Sequence, residues 1–123
     1  MKIVLAIGFG SFLGGISRYL ITIFIQNKIL STFPYGTLAV NIVGCFLIGI
    51  VYGLSTRGNF NVEWRLFLAT GFLGGFTTFS SFANDTVSML RDAQYWHAFS
   101  YIAVSVLIGV AATFGGVSLI KYL

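Results

Sequence analysis

The sequence is poor in charged residues, cysteine and proline, and the first two scarcities each exclude a class of protein. Only 8% of its 123 residues are charged, against roughly 25% in a typical soluble domain. The single cysteine, Cys45, excludes an intrachain disulfide and the cysteine spacing of metal sites. The net charge of +4 is spread along the chain rather than clustered, so we expect no nucleic-acid partner. The only proline, Pro34, lies just before an apolar run, where it does not interrupt a helix.

Catalytic motifs are absent as well. The sequence contains no GxSxG, HExxH or Walker loop. Residues 8–14 read GFGSFLG, but their glycine spacing does not fit a dinucleotide loop and they lie inside an apolar run. The sole histidine, His97, lies at the start of a predicted helix, where we expect an interface residue and not a ligand. We therefore predict that the protein is not an enzyme.

What the sequence does contain is long apolar runs. It is 57% hydrophobic, with a mean hydropathy of +0.92, and a membrane helix needs about 17–25 apolar residues. The first run is too long for the apolar part of a signal peptide, so we expect it to remain as a spanning helix. We predict a single all-α transmembrane domain over residues 1–123. Its four spanning helices are predicted at residues 3–25, 37–54, 64–90 and 96–119.

Basic residues flank the predicted helices with little asymmetry between the two sides of the membrane. The positive-inside rule therefore gives only a weak orientation. Two alternatives remain: one orientation with a modest bias, or insertion both ways up, which would permit an antiparallel homodimer. On one side lie Lys2, Arg57, Arg65 and Lys121, and on the other lie Lys28 and Arg91.

Glycines four residues apart predict close contacts between helices, because small residues let two backbones approach. Four helices of this length can hardly enclose a pore alone, so we favour an oligomer over a compact monomer packed through the same glycines. These pairs are Gly10 and Gly14, Gly49 and Gly53, and Gly71 and Gly75.

Residues 71–82 are the strongest candidate for a functional site. They read GFLGGFTTFSSF and place four hydroxyl side chains within five residues, at a depth where lipid offers no hydrogen-bond partner. The glycines just before the hydroxyls weaken the helix. We therefore predict that the third helix is broken in the middle of the membrane, as in membrane proteins that handle ions.

A broken helix of this composition suits both an anion and a cation. Phe79 and Phe82 share one helical face, and although such pairs are usually packing, a ring edge carries the positive end of the aromatic quadrupole. With the interleaved hydroxyls, they would offer weak donors to a small, strongly hydrated anion. At the break, the carbonyl oxygens of Gly74 and Thr77 lose their helical partners. Without a nearby carboxylate, they favour a monovalent cation over calcium, unless water satisfies them.

Three polar residues in the predicted helices leave alternatives open. Arg18 is costly at membrane depth, so it either attracts an anion, caps a vestibule or extends its side chain to the interface. Asn41 either makes a hydrogen bond between helices or donates to a passing anion. Asp85 lies one turn beyond Phe82, where pairing with Arg18 or exposure near a helix end would both be ordinary.

The sequence resembles the Fluc/CrcB family of fluoride channels over essentially its whole length. The similarity rests on GGISRYL at residues 14–20, GTLAVNIVG at 36–44 and, above all, TGFLGGFTTFSSF at 70–82. The resemblance implies four transmembrane helices in a dual-topology antiparallel homodimer with two pores. It also implies fluoride as the permeating ion and the lipid of a bacterial membrane as the surroundings, and four apolar helices favour the inner (cytoplasmic) one.

Site residues follow from the same resemblance. It implies that Phe79 and Phe82 contact fluoride through their ring edges, that Asn41 lines the pore, and that Arg18 lies at a vestibule. It implies that carbonyls of Gly74 and Thr77, from both subunits, hold a structural Na⁺ that is not transported. The resemblance further assigns Thr78 and Ser80 to the polar lining, and Tyr101, Ser105 and Thr113 to a polar track on the fourth helix. Two departures concern only that side track: Asp85 stands where relatives carry glutamate, and Gly109 where a serine occurs.

We therefore expect a channel that passively exports cytoplasmic fluoride and so reduces its toxicity. The main rival is a proton-coupled exporter resembling the small multidrug transporters, which needs a carboxylate inside the first helix. This first helix has none. A structural subunit without transport activity is the third alternative.

Overall fold

The computed structural model describes residues 1–123 and consists of helices joined by short loops. Four segments are long and apolar enough to cross a membrane. Each extends one to three residues beyond its predicted bounds at either end, because helices continue past the hydrocarbon into the interface. The first helix spans Lys2–Lys28, the second Tyr35–Thr56, the third span Val62–Arg91 and the fourth helix Tyr95–Lys121.

The loops use ordinary capping and turn chemistry. Pro34 takes the N-cap position of the second helix, where its missing N–H is not needed. Gly58 has a φ of +75°, in the left-handed region that glycine adopts at least cost, and it turns the chain after the second helix. Asn61 caps the third span by accepting a hydrogen bond from the Trp64 N–H at 2.9 Å.

The third span is long and bent. It begins as an α-helical turn at Val62–Arg65, continues as a π-helix at Leu66–Leu73, and returns to α-helix at Gly74–Phe76. A second α-helical part, Phe79–Arg91, follows after two residues of extended backbone. The expected interruption within residues 71–82 is therefore present as a bend. The π-helix before it was not predicted.

The helices pack as two pairs: the first with the N-terminal half of the third span, and the second with the fourth. Glycine makes the contact between the first helix and the third span possible. A methyl group added at Gly75 would lie 2.6 Å from the carbonyl oxygen of Ser11, and one added at Gly10 would lie 2.6 Å from that of Phe67. The C-terminal ends of the second and fourth helices are also joined, because Arg57 donates from Nη1 to the carbonyl oxygen of Ile120 at 3.0 Å.

Most apolar side chains point outward. Only 20 of the 123 residues are buried within the chain, and many large hydrophobic side chains are exposed. A soluble monomer rarely presents such a surface. The surface is that of a multi-pass membrane protein, whose outward side chains face lipid or another subunit.

Candidate ion pathway

The bend in the third span lies at two adjacent threonines. Thr77 has φ and ψ of −89° and 156°, and Thr78 has −149° and 117°, both in the extended region. The side-chain amide of Asn41 holds this bend from the second helix. Its Nδ2 donates to the Thr78 carbonyl oxygen at 3.0 Å, and its Oδ1 accepts from the Thr78 N–H at 2.8 Å. The side-chain amide of Asn41 therefore makes the pair of hydrogen bonds with the Thr78 backbone that a residue of a neighbouring β-strand would make.

This arrangement draws two N–H groups away from the helix. In a continuous α-helix the Thr78 N–H would donate to the carbonyl of Gly74, but here it donates to Asn41. The Ser81 N–H would donate to the carbonyl of Thr77, but it donates at 3.2 Å to the hydroxyl oxygen of Thr78, which caps the following helix. The carbonyl oxygens of Gly74 and Thr77 thus lose their usual helical donors.

Arg18 contacts the carbonyl oxygen of Gly75, which lies between Gly74 and Thr77 in the sequence. Its Nε donates to the Gly75 carbonyl oxygen at 3.0 Å, and the side chain is half-buried. The Phe79 N–H would be the donor to this oxygen in a continuous helix. The side chain of Arg18 therefore reaches toward the bend rather than outward along its own helix.

A cleft of about 320 Å³ opens at the bend. Seven of the residues singled out from the sequence line it, and Cys45 and Val106 line it as well, although neither was singled out for that role. The seven are Asn41, Gly74, Thr77, Thr78, Phe79, Phe82 and Ser105.

The hydroxyl of Ser105 distinguishes this cleft from an ordinary packing gap. It is the one buried side-chain oxygen of the chain without a hydrogen-bond partner. An unpartnered buried polar group is costly, so such a group in a cleft usually has a ligand or water to meet. Asn41 adds a second free donor, because Nδ2 carries two hydrogens and only one hydrogen bond to protein.

Aromatic rings form one wall of the cleft and extend behind it. The rings of Phe79 and Phe82 lie 5.6 Å apart between centroids and are tilted by 50°. Phe79 is 79% exposed, so its ring is free to meet an ion or a second subunit. Behind Phe82 lies Tyr101, which is fully buried at a centroid distance of 5.1 Å and donates its hydroxyl to Asp85 at 3.1 Å. Asp85 therefore pairs with Tyr101 and not with Arg18.

Three expected members of the polar lining do not line the cleft: Tyr101 lies behind Phe82, and Thr113 and Ser80 also lie outside it. Thr113 donates at 2.8 Å to the carbonyl oxygen of Cys45, so its hydroxyl joins the fourth helix to the second. Ser80 is exposed beside the cleft and meets the Thr78 hydroxyl at 3.3 Å. No group of three or more histidine, cysteine, aspartate or glutamate side chains is placed to hold a metal.

Comparison with known proteins gives the family. Residues 5–117 match the family described as CrcB-like protein, Camphor Resistance (CrcB). The chain belongs to the CrcB family. The resemblance drawn from residues 14–20, 36–44 and 70–82 is thereby confirmed.

Relatives within the CrcB family are similar over nearly the whole chain. A protein of Leptospira interrogans is 44% identical over 121 residues, covering 98% of this chain and 95% of its own. One from Phocaeicola vulgatus is 44% identical over 117 residues, covering 95% and 97%. One from Flavobacterium psychrophilum is 41% identical over 124 residues, covering the whole of both. All three are named fluoride-specific ion channel FluC, which agrees with the prediction that the chain is not an enzyme.

Proposed function

We propose that this chain forms a fluoride-selective channel whose ion pathway runs through the cleft at the bend. The observation that carries the proposal is the cleft's lining: donors without partners and no acidic side chain. The Ser105 hydroxyl and the second N–H of Asn41 are conventional donors, and the rings of Phe79 and Phe82 add positive edges. The three relatives, each named as a fluoride-specific channel, give the same ion.

Fluoride passes this lining by exchanging water for several weak contacts in turn. A small anion needs many donors to replace its hydration, and rapid passage requires that no single contact be too strong. One free amide hydrogen, one hydroxyl and two ring edges meet both needs without a fixed positive charge in the narrow part. Arg18 stands at the side of the bend, where its charge raises the local concentration of anions.

The carbonyl oxygens of Gly74 and Thr77 suit a structural Na⁺, which would stabilise the bend without being transported. Both have lost their helical donors, and hard cations prefer oxygen ligands. Two oxygens from one chain are too few for such an ion, so the fit improves if a second copy supplies two more. The second copy is thus a partner of the site as well as of the surface.

We infer an antiparallel homodimer of dual topology. The cleft is open on one side, Gly74 and Phe79 on its rim are exposed, and the flanking basic residues give little orientation bias. A second copy turned upside down would cover the cleft and repeat it, giving two pathways. The assembly would lie in the bacterial cytoplasmic membrane and let fluoride leave the cytoplasm passively, which lowers its toxicity.

The decisive experiment is ion efflux from liposomes containing the purified protein. We expect release of fluoride but not chloride, at a rate that does not depend on a proton gradient. Release driven by a proton gradient would favour a proton-coupled exporter, for which the first helix has no carboxylate. Liposomes that retain fluoride would contradict the channel proposal and favour a subunit without transport activity.

A further inference from the structure

The loop between the first and second helices is held by one side chain. Gln26, near the end of the first helix, donates from Nε2 to the carbonyl oxygens of Ser31 at 2.8 Å and Phe33 at 3.1 Å. Its Oε1 accepts from the N–H of Gly36, in the first turn of the second helix, at 3.2 Å. Both ends of the Gln26 amide are therefore engaged, and the loop is fixed on both sides of Pro34.

The same loop has little room to move. A methyl group at Gly36 would lie 2.6 Å from the carbonyl oxygen of Thr22, so the start of the second helix lies directly on the first. Inside the loop, the Phe33 N–H donates to the hydroxyl oxygen of Ser31 at 3.1 Å. The backbone from which the Phe33 ring projects is thus held by hydrogen bonds and by a close backbone contact.

The Phe33 ring lies against the residue that supports the aromatic wall of the cleft. It meets Tyr101 edge-on, with centroids 5.6 Å apart and planes at 81°. Tyr101 in turn meets Phe82 at 5.1 Å. Phe33 and Phe82 are the two rings that contact Tyr101, and neither the loop nor Gln26 lines the cleft.

We propose that Gln26 and Phe33 are positioning residues for the ion pathway. Gln26 fixes the loop, the loop seats Phe33 on Tyr101, and Tyr101 then holds the ring of Phe82 at the cleft. The inference rests on the proposed fluoride channel, because Phe82 is taken there as an ion contact. What it adds is that the loop between the first and second helices, at the membrane edge, determines the position of the Phe82 ring inside the membrane.

The first test removes the ring. Phe33→Leu keeps an apolar side chain but loses the edge contact, and Phe33→Tyr keeps the ring. Phe24→Leu is the matched control, because Phe24 lies on the first helix near the same end, is 63% exposed and contacts no ring of this group. Fluoride efflux is measured against fluoride concentration and normalised to the fraction of protein that is assembled.

We expect Phe33→Leu to raise the fluoride concentration that gives half-maximal flux, by about fivefold if the well-placed Phe82 rotamer falls to about one fifth of the population. Phe33→Tyr should restore the wild-type value, and Phe24→Leu should not change it. Loss of folded protein alone would lower the maximal flux and leave this concentration unchanged. That result, or equal values for Phe33→Leu and Phe24→Leu, would overturn the proposal.

The second test releases the loop without touching the ring. Gln26→Leu removes all three hydrogen bonds, and Asn27→Leu removes a neighbouring amide that makes none. We expect Gln26→Leu to shift the half-maximal concentration in the same direction as Phe33→Leu, and Asn27→Leu to leave it unchanged. If the wild-type protein conducts fluoride and Gln26→Leu leaves the half-maximal concentration unchanged, this inference alone is refuted. If the wild-type protein conducts no fluoride, the channel proposal itself is refuted.

Discussion

The paired hydrogen bonds between Asn41 and Thr78 lead to the sharpest prediction. Asn41→Leu replaces the amide by an apolar side chain of similar size. It leaves the N–H and the carbonyl oxygen of Thr78 without their partners at 2.8 and 3.0 Å. Each backbone group left unpaired away from water costs about 1–3 kcal/mol. Because Thr78 is only half-buried and water can reach part of it, we take the lower part of the sum, about 2–4 kcal/mol.

The assay is unfolding of the purified protein by titration with SDS, followed by fluoride efflux from liposomes. We expect Asn41→Leu to lower the free energy of unfolding by that amount. We also expect it to lower flux at least about tenfold, because the expected loss of stability at the bend exceeds about 1.4 kcal/mol, which corresponds to a factor of ten in an equilibrium. The matched control is Asn84→Leu, which changes an exposed amide on the same third span that makes no hydrogen bond within the chain. If Asn41→Leu behaves like Asn84→Leu in both measurements, the amide does not hold the bend and the reasoning is wrong.

Further predictions concern the ring, the arginine, a helix contact and the cation. Phe82→Ile should lower fluoride flux in liposomes while size-exclusion chromatography still shows the assembled protein; full flux would remove Phe82 from the pathway. Arg18→Gln should destabilise the protein by about 1–2 kcal/mol, because the Gly75 carbonyl oxygen loses a charged donor at 3.0 Å, and an unchanged unfolding curve would contradict that contact. Gly75→Ala should cost at least about 1–3 kcal/mol by overpacking against the carbonyl oxygen of Ser11; Gly115→Ala, which meets no atom within 4 Å, is the control. Replacing Na⁺ by a large organic cation should lower the stability by about 2.7 kcal/mol if Na⁺ had been present at a hundred times its dissociation constant, and equal stability in both salts would refute the structural cation.

The sequence predicted the number of spans and the place of the bend because both depend on local composition. Four apolar runs have the length that a bilayer requires, and glycines next to hydroxyls mark where a helix is weakest. The π-helix at Leu66–Leu73 left no such mark. That stretch is apolar at almost every position. Its hydrophobic pattern therefore cannot distinguish an α-helix, in which hydrogen bonds join residues four apart, from a π-helix, in which they join residues five apart.

The roles of the polar residues could not be read from the sequence, because they depend on partners far along the chain. For Asn41 both an interhelical bond and an anion contact remained open. The structure supplies the first through Thr78, 37 residues away, and leaves one N–H for the second. Thr113 was assigned to a polar track, yet its hydroxyl turns to Cys45 on the second helix. Gln26 passed unnoticed because an amide at a helix end looks like any interface residue.

The two arginines that reach across to other helices both end on main-chain oxygens: Arg18 on Gly75 and Arg57 on Ile120. A carboxylate partner would be neutralised in acid, whereas a peptide oxygen does not titrate and keeps its dipole. Neither hydrogen bond therefore depends on the ionisation of an acidic side chain. Changes of pH on either side of the membrane would leave these two contacts unchanged.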